Sequence, residues 1–187
     1  MNIPALVRER YKIWSRFLTE QVGFSLQHSQ QHTKEHCARV LLFCLLFAQR
    51  ENLSEQDADA LAMAACFHDS RRMNDGLDIG HGHRAAEYYR TWCAEHEHVL
   101  DARVVWIMAY HEQNDKLGKV ALRREFPDDP NAVLLYQLFK DADALDRFRL
   151  GPEGLDVNYL RTPYAKELVE FSQTLLRIGP ERVLSES

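Results

Sequence analysis

The stretch VLLFCLLFA, Val40 to Ala48, is apolar at every position and therefore apolar on every side of a helix. A helix without a polar face belongs at the centre of a larger helical packing, where other helices cover it all round. The spacing predicts that this helix runs from about Gln31 to Arg50. Before it, after Pro4, the residues Val7, Tyr11, Trp14 and Leu18 fall on one helical stripe. After it, Leu53 and the N-cap Ser54 open a third helix that turns Ala58, Leu61, Ala62, Ala65 and Cys66 inward and ends near His68-Asp69. A loop rich in Gly, Asp and Asn follows, Asn74 to Gly82.

The fourth helix is expected from about Gly82 to Ala94, with Ala85, Tyr88 and Trp92 as its stripe. The fifth is capped by Asp101 and carries Val104, Ile107 and Met108 up to His111. Asp129-Pro130 reads as the start of a sixth helix through about Phe148, and Thr162-Pro163 as the start of a seventh, closed by Gly179-Pro180. No segment alternates with period two. The expectation is an all-α, single-domain bundle of about seven helices over residues 1–187.

The chain is 187 residues long, 45% hydrophobic and 27% charged, with 8 Gly and 6 Pro. That balance excludes collagen and low-complexity disorder and leaves enough apolar material for one core. Net charge is -5 and the basic residues are scattered, so a nucleic-acid-coating face is not expected. The four cysteines, Cys37, Cys44, Cys66 and Cys93, show no CxxC spacing and lie within apolar helical patterns. They read as small hydrophobes in a reducing compartment, and a cytoplasmic protein is expected. The start, MNIPALVRERYKIW, has charges where a secretory signal needs its apolar core. The longest apolar run falls far short of the roughly 20 residues that cross a bilayer, so no membrane partner is expected.

Nine histidines are present, and several stand where apolar stripes end. His36 precedes Val40, Phe43 and Phe47 on one face. His68 continues Leu61 and Ala65, and Asp69 continues Ala58, Ala62 and Ala65. His81 precedes Ala85, Tyr88 and Trp92, His111 follows Val104, Ile107 and Met108, and Asp143 continues Ala132, Tyr136 and Phe139. A bundle built on these stripes gathers imidazoles and carboxylates in one buried pocket. Desolvating them is expensive unless they are paired or bind a metal, and divalent transition metals accept both ligand types. Adjacent His68 and Asp69 can serve one site only if the helix ends there, which Ser70, Arg71, Arg72 and Asn74-Asp75-Gly76 favour.

Not every residue of these types belongs to a site. His28, His83, His96 and His98 read as surface groups, and His32 as a cap, a solvent-facing group or a side chain at the pocket mouth. Asp141 competes with Asp143, because its spacing turns it inward with Leu134, Leu138 and Leu145. Tyr88, Tyr89 and Trp92 read as core packing rather than a stacking platform. Arg71 and the pair Arg123-Arg124 read as ordinary solvated charges.

These residues resemble the HD superfamily, helical metal-dependent phosphohydrolases named after a His-Asp doublet. The pattern maps to His36, to His68-Asp69 within CFHDSRR and to Asp143 in the Ala-Asp context of KDADALD. A bacterial branch is similar over three longer stretches: HTKEHCARV (His32 to Val40), FHDSRRMNDGLDIGHGHRAA (Phe67 to Ala86) and DADALDRFRLG (Asp141 to Gly151). The resemblance runs from His32 to about Thr162. It departs at His83, an extra histidine beside His81; the stripe prefers His81.

The resemblance implies a divalent ion (Mn, Ni, Zn, Mg or Fe) held by His36, His68, Asp69 and Asp143. It implies a small phosphorylated metabolite or nucleotide as substrate, hydrolysed by a metal-activated water. Arg72 and Asn74-Asp75 would then bind phosphate or orient the water, and Arg147 and Arg149 are further phosphate candidates. His81 and His111 are open between a second metal, a phosphate contact and packing. With two ions, Asp69 would bridge, and some such relatives are di-iron oxygenases. A non-catalytic nucleotide- or phosphate-binding module is a third reading, and a homo-oligomer stays open.

Overall fold

A computed structural model describes residues 1–29 and 33–185, and among them the chain forms ten α-helices, two short 3₁₀ segments and no strand. The α-helices are α1 (Ala5–Gln21), α2 (Lys34–Arg50), α3 (Glu55–Phe67), α4 (His81–Glu95), α5 (Ala102–Tyr110), α6 (Asp115–Glu125), α7 (Ala132–Leu145), α8 (Pro163–Glu167), α9 (Val169–Ile178) and α10 (Pro180–Ser185). The 3₁₀ segments are Asp146–Leu150 and Val157–Tyr159.

The apolar run from Val40 to Ala48 is buried throughout, and α2 packs against α1, α3 and α7. Thr33 caps α2 by accepting the backbone N–H of His36, and Ser54 caps α3 by accepting that of Asp57. Small side chains make α3 fit closely: Ala58, Ala60, Ala62, Ala64 and Ala65 are all buried. Its last residue, Phe67, meets the rings of Phe17, Tyr89 and Trp92. Arg103 on α5 pins a second contact region by pairing with Asp57, Asp101 and Asp129.

Four details differ from the periodicity reading. Helix α6 was not expected, because only Gly118, Ala121 and Leu122 of it are buried while Leu117 and Val120 face solvent. Helix α7 starts at Ala132, since the Asp129 carboxylate accepts the Asn131 N–H and forms a turn ahead of the helix; α7 then tightens into 3₁₀ geometry after Leu145. The expected seventh helix divides at Leu168 into α8 and α9, and α10 follows Gly179. On α4, Tyr89 is buried in place of Tyr88, whose ring lies 3.2 Å under the Arg71 guanidinium. The four cysteines are buried free thiols, and among the described residues no helix is long and apolar enough to cross a membrane.

Candidate metal centre

Every group of the cluster comes from a helix end. His36 sits in the first turn of α2, His81 opens α4, and Asp143 lies in the last turn of α7. His68 and Asp69 follow α3, where the chain turns: the Ser70 N–H donates to Phe67 O and the Arg72 N–H to Asp69 O. That turn lets two adjacent side chains face one place, which a continuing helix would forbid. His111 follows α5 in the same manner.

Two groups of donors result. In the first, His36 Nε2 lies 3.1 Å from His68 Nε2, 3.6 Å from Asp69 Oδ2 and 3.3 Å from Asp143 Oδ1. In the second, His81 Nε2 lies 2.9 Å from His111 Nε2 and 3.2 Å from Asp69 Oδ1, and His111 Nε2 is 3.8 Å from that same oxygen. Two donors about 2.1 Å from a shared ion stand about 3.0–3.4 Å apart; the shortest pair in each group is close to that spacing, while His68 Nε2 stands 4.0 Å from both Asp69 Oδ2 and Asp143 Oδ1. Asp69 turns one oxygen to each group. His36, His68 and Asp69, and likewise Asp69, His81 and His111, are buried sets that can hold a metal ion.

The chemistry of the donors supports the fit. Carbonyl oxygens only accept hydrogen bonds, so a ring nitrogen facing one must carry the proton. His68 Nδ1 faces Ala65 O at 3.0 Å, His81 Nδ1 faces Asp78 O at 2.7 Å, and His111 Nδ1 faces Met108 O at 2.7 Å. His36 Nδ1 meets the Asp146 carboxylate at 2.7 Å. All four rings are therefore oriented with Nε2 turned inward, the orientation that outer partners impose on ligating histidines. Lone pairs and carboxylates at these distances repel one another unless a positive charge sits among them.

Without an ion the titration directions differ from ring to ring. Burial pushes His68 down to about 3, so it is neutral at ordinary pH. Burial also opposes the charge on His36, but the Asp143 and Asp146 carboxylates outweigh it and move this ring up. Against burial, the His36 ring holds Asp143 well below the usual carboxylate range. Against burial again, the hydrogen bond to Asp69 moves His81 up.

Two glycines decide how His81 is presented. Gly80 adopts φ +88°, the left-handed region, to turn the chain into α4. Gly82 lies so close to α5 that a Cβ there would come within 2.3 Å of Met108 O and 2.9 Å of His111 Nδ1. The Glu112 carboxylate accepts the N–H groups of Gly80 and Gly82 at 2.9 and 3.0 Å, an anion on the positive end of α4. His83 is exposed, so His81 is the ring in the cluster.

Above the cluster opens a cavity of about 930 Å³ lined by Asp69, Asp143, Arg72, Asp75, Arg147 and Arg149 among others. Arg72 Nη1 lies 3.1 Å from His81 Nε2 and 3.6 Å from Asp69 Oδ1, and its buried Nε has no acceptor. The Asp75 carboxylate accepts from the Ser29 hydroxyl at the rim, and Arg147 Nε donates to Gly154 O at 2.9 Å. Asn74 does not line the cavity; its Oδ1 accepts the Gly76 N–H at 2.9 Å and closes a local turn, which removes the expected phosphate contact. Asp141 is fully buried but belongs to another network, accepting from Arg161 and Thr162. His32 lies outside the described residues.

Asp146 and Glu112 were not anticipated. Asp146 had a visible signal, being one helical turn past Asp143 in DADALD; Glu112 had none beyond following His111. No family model, curated protein or solved structure matches this chain.

Proposed function

We propose that this protein is a metal-dependent phosphohydrolase of the HD type, acting on a small phosphorylated metabolite or nucleotide. The observation that carries this reading is the inward convergence of four Nε2 lone pairs on the split carboxylate of Asp69, beneath a cavity bearing arginines. His36, His68, Asp69 and Asp143 would hold the ion, and their order along the chain is that of the resembled pattern. A bound divalent ion acidifies its water and neutralises phosphoryl oxygens, both of which favour P–O hydrolysis near neutral pH.

The chain's own residues supply the rest. The Arg72 guanidinium, buried beside Asp69 with one unmatched N–H, offers a donor to a phosphoryl oxygen. Arg147 and Arg149 add positive charge to the same cavity, with Asp75 placed to orient water. Asp146 holds the proton on His36 Nδ1 and so keeps Nε2 free to ligate.

A second reading has one observation in its favour. The His81–His111 pair on the far oxygen of Asp69 has the donor set for another ion, and two irons there would suit an oxygenase. The Arg72 charge beside His81 already offsets part of that need, which favours the single-ion hydrolase.

Elemental analysis of protein purified without added metal, followed by phosphate release from a chromogenic aryl phosphate, tests the proposal. Metal-dependent release that disappears in His68→Ala and Asp69→Ala, with helicity unchanged, is the expected result. Full activity in both variants refutes it, and two irons without phosphatase activity transfer the case to the oxygenase.

A further inference from the structure

Two loops line the same cavity, and both present apolar side chains to water. Leu77 and Ile79, between α3 and α4, are 90% and 72% exposed; Tyr159, between α7 and α8, is 73% exposed. Leu150 and Leu155 continue the second wall. These side chains are not exposed because their backbones are loose. The Asp78 carboxylate accepts the Met73 N–H at 2.6 Å and the Arg84 guanidinium at 2.6 Å, fixing the first loop. Buried Asp141 accepts the N–H groups of Arg161 and Thr162 at 2.9 and 2.8 Å, fixing the end of the second.

Apolar side chains held exposed on pinned backbone around one cavity mark a contact surface. They share the cavity with Asp69, His81, His111 and Asp143, with Arg72, Arg147 and Arg149, and with the carboxylates of Asp75, Glu153 and Asp156. The cluster and arginines can take a charged head while Leu77, Ile79 and Tyr159 meet an apolar body, as an amphipathic ligand needs. The volume, about 930 Å³, exceeds what a phosphate and a short polyol would fill.

We infer that the substrate is a phosphomonoester of an apolar alkyl or aryl alcohol, its phosphate on the His/Asp floor and its body against Leu77, Ile79 and Tyr159. This rests on the phosphoester reading of the cluster. The reaction consumes one water: its oxygen forms the new P–O bond, the ester P–O bond breaks, and the leaving oxygen takes a proton to give the alcohol and inorganic phosphate.

The test is a series of 4-alkylphenyl phosphates from methyl to hexyl, in which leaving-group acidity stays constant while apolar length grows. With the metal-loaded protein, kcat/KM is expected to rise about two- to fourfold per added methylene, as burial of each CH₂ dictates. The Leu77→Ser/Ile79→Ser double variant and Tyr159→Ser should flatten that slope, each slope being normalised within its own variant. A flat series in the parent protein, a slope unaltered by both variants, or ribose 5-phosphate turned over as well as the hexyl ester overturns the inference. If no ester releases phosphate, the hydrolase reading fails by itself. Calorimetric binding of the matching 4-alkylphenyl phosphonates then decides the rim: a length-dependent Kd lost in the rim variants sustains it, and a constant Kd refutes it.

Discussion

Asp146 Oδ2 lies 2.7 Å from His36 Nδ1, a contact that joins positions 110 residues apart and fixes which nitrogen of the ring faces the cluster. Arg39 anchors the same carboxylate with bonds of 2.6 and 3.0 Å. Asp146→Asn keeps the shape but removes the charge that holds the His36 proton in place. Metal affinity is expected to fall about 10- to 100-fold with helicity intact. A Zn or Mn titration checks this, and unchanged affinity would show that Asp146 serves the fold alone.

Asp141 and Asp143 should part company under mutation. Asp143→Ala removes a group 3.3 Å from His36 Nε2 and is expected to lose bound metal at little cost in stability. Asp141→Ala removes the buried acceptor of the backbone N–H groups of Arg161 and Thr162, while the Arg161 guanidinium keeps its bonds to Asp115. Its cost is expected to be about 3 kcal/mol or more, with metal stoichiometry unchanged in the folded protein. Urea unfolding together with elemental analysis separates the two.

Gly82→Ala puts a methyl into the Met108 carbonyl and the His111 ring. Backbone on one side leaves little room to yield, so α4 and α5 must separate. The expected cost is about 2 kcal/mol, or roughly 4–8 °C in Tm for a chain of this size. His81 and His111 move apart with it, so any ion they hold should go first. A Tm equal to that of the parent would contradict the packing described here.

Stability at low pH has a defined sign. Burial would raise Asp115, but hydrogen bonds and charge from Arg161 and Lys140 hold it down to about 2, against an ordinary 3.8. The unfolded chain therefore binds this proton more readily than the folded one. The stabilisation is complete above about pH 4 and is lost as pH falls through about 2. Asp115→Asn should make unfolding free energy less steep between pH 4 and 2, measured by urea titration at fixed pH values. An unchanged slope would mean that the carboxylate is not paired in solution.

Removal of metal should destabilise. An ion that binds only the folded chain adds about 2.7 kcal/mol when present at about 100 times its Kd. Chelation is expected to lower Tm and re-addition to restore it, whereas His36→Ala should abolish the difference.

The central helix, the Ser54 cap and the placement of histidines at stripe ends were legible because each depends on residues a few positions apart. Helix α6 was not, because Gly118 packs under the Tyr136 ring and the apolar residues beside it face solvent. The core role of Tyr88, Tyr89 and Trp92 was legible, but not that Tyr89 is the deeper of the two tyrosines: neighbours on one helix differ by about 100° of rotation, and only the packed surroundings choose between them.

The amino-acid sequence by itself determined that helices form, that their apolar stripes end in imidazoles and carboxylates, and that His68 and Asp69 lie together at a chain turn. Local periodicity and capping suffice for that. Only the tertiary structure decided that Asp143 and not Asp141 meets His36, and that Asp69 shares its two oxygens between two histidine pairs. Those choices are distances between remote segments, set by how closely helices such as α4 and α5 approach, and no local pattern contains them.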